Sequence, residues 1–180
     1  MVSLASILDM LEQEIACRLD LLHSVLNIPM NRVMPIRLLH LSFRDFLLNT
    51  YNRRSPFWVD EMDTHKRLAK QCLQLMSSPQ GLKQNMCNLQ RPGTRRTEID
   101  NSIIDMCLTA EVRYACRYWV YHLEQSQSRI QDKDSVHKFL QEYFLYWLEV
   151  MSLNGDAAES IRMIDSLKSL LNVSQSRPVS

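Results

Sequence analysis

Apolar residues recur every three or four positions through most of this chain, which is the spacing of one face of an α-helix. The longest such segment, SVHKFLQEYFLYWLEVMSL at 135–153, carries two neighbouring apolar rows. The first row is Phe139, Tyr143 and Trp147, and the second is Leu140, Phe144 and Leu148. An apolar surface this wide predicts a helix that is buried on several sides.

The first fifty residues combine short helical patterns with two strand-like runs. Apolar spacing predicts one helix in SLASILDM, with Ser3 as N-cap, and a second in EQEIACRLDLLHSVL. Two apolar runs, Val25 to Ile28 and Ile36 to Leu39, flank a proline-bounded loop and predict a β-hairpin. A helical pattern, LSFRDFLLN, resumes directly after His40. Together these elements predict a winged-helix-like subdomain over residues 1–50.

The later patterns predict a helical bundle over residues 51–172 and a flexible tail over 173–180. Helix starts are expected after Asp60, Asp100, Thr109 and Asp156, because these side chains can accept a hydrogen bond from the first turn. The stretch LKQNMCNL predicts a further short helix, and Asn154–Gly155 predicts a left-handed end to the long one. The inward positions expected on the last helix are Ile161, Ile164, Leu167 and Leu171.

Composition favours a mainly α fold. Only three glycines occur in 180 residues, whereas strand-rich folds need frequent turns. The formal net charge of +1 provides no overall field that would attract nucleic acid or an anionic membrane. No apolar run is as long as a membrane span, and the N-terminus lacks the basic region of a secretory signal. We therefore expect a cytoplasmic protein that has no membrane partner.

No pattern of reactive residues indicates an enzyme. The glycines are Gly81, Gly93 and Gly155, none of which opens a phosphate-binding loop, and no G-x-S-x-G is present. The five histidines are never paired as H-x-x-x-H. The five cysteines lack a C-x-x-C spacing, which favours buried free thiols over a zinc site. We expect no catalytic residue and no metal ligand.

A winged helix raises the question of DNA binding. Its second helix would enter the major groove, but Glu12, Glu14 and Asp20 make that helix acidic on balance despite Arg18. The loop RPGTRR clusters arginines without interleaved aromatic residues, which is typical of a solvated loop. Nucleic acid is therefore a disfavoured partner.

The stretch RLLHLSFRDFLL resembles the end of the winged-helix domain in STAND nucleotide-switch proteins. This class contains plant resistance proteins, apoptotic-protease activating factors and fungal NACHT proteins. Their signature, Met-His-Asp followed by Leu-Leu-Arg-Asp, matches Leu39-His40-Leu41 and then Ser42 to Asp45, with Leu41 in place of the family's Asp. Nearly the whole chain is similar to the region after the NTPase core in the fungal group. The similar segments are RLDLLHSVLNIP, FWVDEMDTHKRLAKQCLQLM, LKQNMCNLQRPGTRR, EVRYACRYWVYHLEQS and VHKFLQEYFLYWLEVMSLNGDAAESIRMIDSLKSLL.

The resemblance implies a non-catalytic regulatory module that serves heterokaryon incompatibility or innate-type recognition. In that family the winged-helix histidine contacts the β-phosphate of ADP in the closed state, and exchange for ATP permits oligomerisation. His40 would be this nucleotide-sensing residue, but only when joined to an NTPase core, with Leu39, Arg44 and Asp45 supporting the motif. The expected partners are the NTPase core and the C-terminal sensor repeats, and homo-oligomer formation stays open. No cofactor is expected in this chain; ADP or ATP would bind through the core.

Several alternatives stay open at this point. His40 can be a packing residue only, as most histidines on apolar segments are, and Arg44 and Asp45 can pair with each other or hold the helix. The chain can also be a stand-alone helical adaptor, a nucleic-acid-binding winged helix, or a gene fragment without a function. A phosphate-loop motif encoded upstream would favour the nucleotide switch.

Overall fold

The computed structural model describes residues 5, 7–8, 10–29, 36–91 and 93–172, which form a mainly helical protein with one short β-hairpin. The N-terminal elements are α1 (Glu12–Asp20), β1 (Leu26–Asn27), β2 (Arg37–Leu38) and α2 (Leu41–Leu48). The later helices are α3 (Glu61–Met76), α4 (Asn101–Cys107), α5 (Ala110–Gln125), α6 (Ser135–Asn154) and α7 (Ala157–Asn172). Two 3₁₀ segments are Thr50–Asn52 and Arg96–Glu98. The predicted class, mainly α with a short hairpin, is confirmed.

The hairpin is antiparallel and pairs Leu26 with Leu38 and Asn27 with Arg37, as the two apolar runs predicted. Its predicted tip, residues 30–35, lies outside the described residues, and so do the expected N-cap Ser3 and the expected tail at 173–180. A small hydrophobic cluster of Ala5, Ile15 and Leu19 lies beside the hairpin. The winged-helix arrangement and the domain limits 1–50 and 51–172 stay predictions.

The main core lies where α3 and α5 pack along each other and where α6 and α7 cover them. Trp119 and Trp147 are fully buried at its centre, with ring centroids 5.7 Å apart in an edge-to-face arrangement. The indole N–H of Trp147 donates to the backbone carbonyl of Cys116 at 2.9 Å. This bond ties α6 to α5 inside the core.

Three aspartates cap helices. Asp60, Asp100 and Asp134 each accept a backbone N–H from the first turn of the following helix, at 3.0, 2.8 and 2.8 Å. Thr109 precedes α5 as predicted, and its carbonyl accepts the first intrahelical bond, but its side chain makes no capping bond. Gly155 ends α6 with a φ of +83°, a left-handed conformation that favours glycine.

The predicted short helix in LKQNMCNL is wrong, because two asparagines there adopt positive φ. Asn85 and Asn88 have φ of +54° and +50°, and such values break a right-handed helix. The Glu149 carboxylate of α6 accepts the backbone N–H groups of Asn85 and Met86 at 3.1 and 3.0 Å. The Asn85 side chain bonds both backbone groups of Leu89. Asparagine tolerates this conformation, so these bonds hold a compact turn.

The predicted burial of α6 on several sides is confirmed in part, because α3, α5 and α7 all contact this helix. Phe139 and Trp147 of its first apolar row are buried, and the second row is half-buried against the same core. The burial is not complete, since Leu145 is 73% exposed.

The predicted inner stripe of α7 is displaced. Ser160, Met163 and Leu167 are buried, whereas Ile161 and Leu171 are exposed, contrary to prediction. The buried positions follow i, i+3 and i+7, so the helix packs by a narrow stripe against α5 and α6. The linker before α6 also contributes to the core, because Ile130 within it is buried.

Candidate functional site

His40 lies at the junction of β2 and α2, at the position where the sequence predicted a change from strand to helix. Its backbone is extended, with φ of −134° and ψ of 135°, and its carbonyl accepts the N–H of Phe43 at 3.2 Å. The side chain does not cap α2. The imidazole is exposed and forms no hydrogen bond or ion pair with the described residues. It is therefore not a core residue in this structure.

The hairpin fixes the backbone on both sides of His40. Leu39 donates its N–H to the carbonyl of Val25 at 2.9 Å, which extends the pairing beyond Leu38. Leu39 itself is 47% exposed. The backbone at His40 is therefore held in place by the end of the hairpin. This limits the positions that the imidazole can occupy.

Arg44 does not pair with its neighbour Asp45. Its guanidinium instead binds Glu61 at the start of α3, at 2.8 Å between Nη2 and Oε1. Both partners are about half exposed, so the pair adds little to stability, but it is a direct contact between α2 and α3. Asp45 is exposed. Of the motif-supporting residues, Arg44 alone connects two helices.

A cleft of about 230 Å³ lies between the hairpin, α2 and α3. Its apolar lining comes from Leu38, Leu47, Leu48 and Val59. The Arg44–Glu61 pair and His65 also line it, whereas His40 does not. The structure therefore brings Arg44 into the cleft and leaves His40 and Asp45 on the surface.

A buried chain of hydrogen bonds extends from the cleft into the core. His65 Nδ1 lies 2.8 Å from His122 Nδ1, and His122 Nε2 lies 2.9 Å from the Tyr114 hydroxyl. Burial, and then the neighbouring His65, lowers the pKa of His122 from 6.5 to about 4. Burial chiefly raises the pKa of Tyr114 to about 12. Both groups are therefore neutral near pH 7.

Sequence reasoning missed this chain of bonds, although one signal was present. Residues 112, 116, 119, 120 and 123 form an apolar stripe at helical spacing on α5, and position 122 lies next to that stripe. Only the packing of α3 on α5 shows that His65 meets His122. The neutral His122 ring has one donor and one acceptor nitrogen, so its contacts with His65 and Tyr114 can both be hydrogen bonds.

The buried thiols are poor nucleophiles. Burial raises the pKa of the Cys72 thiol to about 12 and raises that of Cys116 further. Cys72, Cys87 and Cys116 are buried and unpaired, as predicted, whereas Cys17 is exposed. In the part of the chain that the structure describes, no three His, Cys, Asp or Glu side chains meet in a way that could hold a metal ion. The helices described also include none that is long and apolar enough to cross a membrane.

Comparison with known proteins gives one informative match. The chain is 32% identical over 160 residues to vegetative incompatibility protein HET-E-1 of Podospora anserina. The alignment covers 78% of this chain but only 11% of the length of HET-E-1. No protein-family model matches the chain, and no solved structure matches it. The chain is thus related to a short part of a fungal vegetative incompatibility protein.

Proposed function

We propose that this chain is the regulatory module that follows the NTPase core in a fungal NACHT-type nucleotide switch. The observation that carries the proposal is the match to HET-E-1, which spans most of the chain. A role in incompatibility accords with the name of that relative. The module acts by docking onto other domains, and not by catalysis of its own.

The β2–α2 segment, residues 37–48, supplies the docking surface in this proposal. None of the residues of α2 is buried, although six of its eight side chains are not charged and five are large and apolar. Leu41 is 77% and Phe46 is 45% exposed. An eight-residue helix has little stability by itself, and exposed apolar surface of this kind favours contact with a further domain.

His40 lies within the same segment and provides the link to the nucleotide. Its imidazole has no partner among the described residues, so it is free to donate to an oxyanion. A nucleotide held by the core would present its β-phosphate to His40 in the closed state. Loss of that contact on exchange for ATP would release the segment, since a ligand shifts an equilibrium by its differential affinity for the two states.

A binding experiment with an NTPase core tests the docking step. The NTPase core of a fungal NACHT protein is purified, loaded with ADP and titrated with this chain in a calorimeter. We expect binding that weakens at least about tenfold in a Leu41→Asp and Phe46→Asp double variant, because central apolar anchors dominate interfaces. Leu145→Asp, at an equally exposed leucine of α6, is the matched control and should bind as the wild type does. Equal loss in both variants, or no binding by the wild type, would refute the docking proposal.

A further inference from the structure

A groove of about 620 Å³ opens between α3 and the segment that joins α5 to α6. Four cationic side chains line it, namely Lys66, Arg67, Lys70 and Arg129, and all four are exposed. Its floor is apolar and includes the buried side chains of Leu73, Leu123 and Val136. A concave site with a basic rim and an apolar floor differs from an ordinary solvated charge cluster.

The side chains that line this groove carry a net positive charge. Within the described ranges, none of its four cations lies within 4.0 Å of a carboxylate, whereas Arg113, Arg162 and Lys168 elsewhere each do. Two carboxylates line the groove, Asp63 and Asp134. The oxygens of Asp134 already accept backbone N–H groups at 2.8 and 2.9 Å. The groove therefore offers a net positive field to an incoming ligand.

Helical spacing separates this groove from the β2–α2 segment. Asp63, Lys66, Arg67 and Lys70 follow i, i+3, i+4 and i+7 and share one face of α3. Glu61, Thr64 and His65, which line the cleft beside α2, lie on a different face. The groove is thus a separate surface, and its occupancy does not depend on the function proposed above.

We propose that this groove binds an acidic peptide segment of a partner protein, with apolar side chains of that peptide on the floor. Charge complementarity supports an anionic ligand, and the apolar floor provides anchor positions that a peptide can fill. A nucleic acid fits less well, because the lining includes no aromatic side chain on which a base could stack.

Fluorescence anisotropy with the full chain tests this inference. The probe is a labelled peptide of about twelve residues, rich in glutamate with interspersed leucines. We expect saturable binding that weakens with added salt. Lys66→Glu with Lys70→Glu should weaken it at least about tenfold, since the two reversals replace attraction by repulsion. The matched control is Lys83→Glu with Arg95→Glu, which makes the same charge change at two exposed cations outside the groove and should alter affinity less than about twofold.

The same titration has outcomes that would overturn the inference. Equal loss in both double variants would show that only the overall charge matters. A peptide with serine in place of leucine should bind several-fold more weakly, and unchanged affinity would show that the floor is not used. Tighter binding of a single-stranded oligonucleotide of equal charge, with the same dependence on Lys66 and Lys70, would assign the groove to nucleic acid instead. Circular dichroism of each variant shows whether it is folded, so that a loss of binding can be distinguished from a loss of structure.

Discussion

Acid should destabilise this protein through His122. The ring is 5% exposed and bonded at both nitrogens, to His65 and to Tyr114, and its pKa is lowered from 6.5 to about 4. The unfolded chain therefore takes up a proton near pH 6.5, whereas the folded chain resists protonation until about pH 4. The stability associated with neutral His122 is present above pH 6.5 and is lost as the pH falls toward 4. Integrating the linkage relation gives a loss of about 2 kcal/mol between about pH 7.5 and about pH 5.

Urea titrations of the wild type and of His122→Gln at these two pH values measure the effect. Glutamine does not titrate, and the other four histidines stay in both proteins, so the difference between the two pH slopes isolates His122. The variant should be less stable at high pH, because it disrupts the bonds to His65 and Tyr114, but its stability should fall less on acidification. Parallel pH profiles for the two proteins would refute the assignment of a neutral, buried His122.

Further perturbations test the packing and the absence of a nucleotide site. Trp147→Ala should lower the free energy of unfolding by about 3–5 kcal/mol, and a loss below about 1 kcal/mol in a denaturant titration would show that α6 is not buried. Gly81→Ala should destabilise by about 1–3 kcal/mol, because its Cβ would lie 2.4 Å from the carbonyl oxygens of Leu75 and Met76, and an unchanged melting temperature would contradict that clash. Glu149→Gln should speed hydrogen exchange at the backbone amides of Asn85 and Met86, because both donate to the Glu149 carboxylate. Unchanged exchange rates would show that the turn is stable without that carboxylate. The purified chain should not bind ATP, since it carries no P-loop, and micromolar affinity in a calorimeter would oppose the proposal.

The sequence predicted well those features that depend on local chemistry. Asp60 and Asp100 cap the helices that follow them, and Gly155 ends α6, because cap preferences act within a few residues. The strand-to-helix change at His40 was also predictable, since the apolar spacing changes there. Thr109 shows the limit of such rules, because its position was right while its side-chain bond was absent.

The features that depend on distant contacts were not predictable. Residues 82–89 resembled a helix, but Glu149, more than sixty residues away, holds the turn that forms instead. On α7, Ile164 and Leu167 face the core as predicted, whereas Ile161 is exposed and Met163 is buried in its place, because both are apolar and only packing decides which is buried. The meeting of His65 with His122 likewise needs the packing of α3 on α5.

The candidate site likewise combines features that could be predicted from the sequence with features that depend on distant contacts. The exposure of His40 and its extended backbone agree with a role at a strand end, which the motif implied. The pairing of Arg44 with Glu61 was not foreseen, because the two residues belong to different helices. The basic groove was missed as well, since Arg129 joins the cations of α3 only after the chain folds back on itself.

The most direct test of the nucleotide-sensing proposal is the dissociation rate of ADP from a polypeptide that joins this chain to the NTPase core of a fungal NACHT protein. A charge-assisted bond from His40 to the β-phosphate is worth about 1.5–3 kcal/mol. His40→Ala should therefore release fluorescent ADP about 10- to 100-fold faster and leave the melting temperature unchanged. His23→Ala, at another exposed histidine of the N-terminal part, should retain the wild-type rate. A wild-type ADP off-rate in His40→Ala, accompanied by a lower melting temperature, would contradict the account and leave His40 as a structural residue.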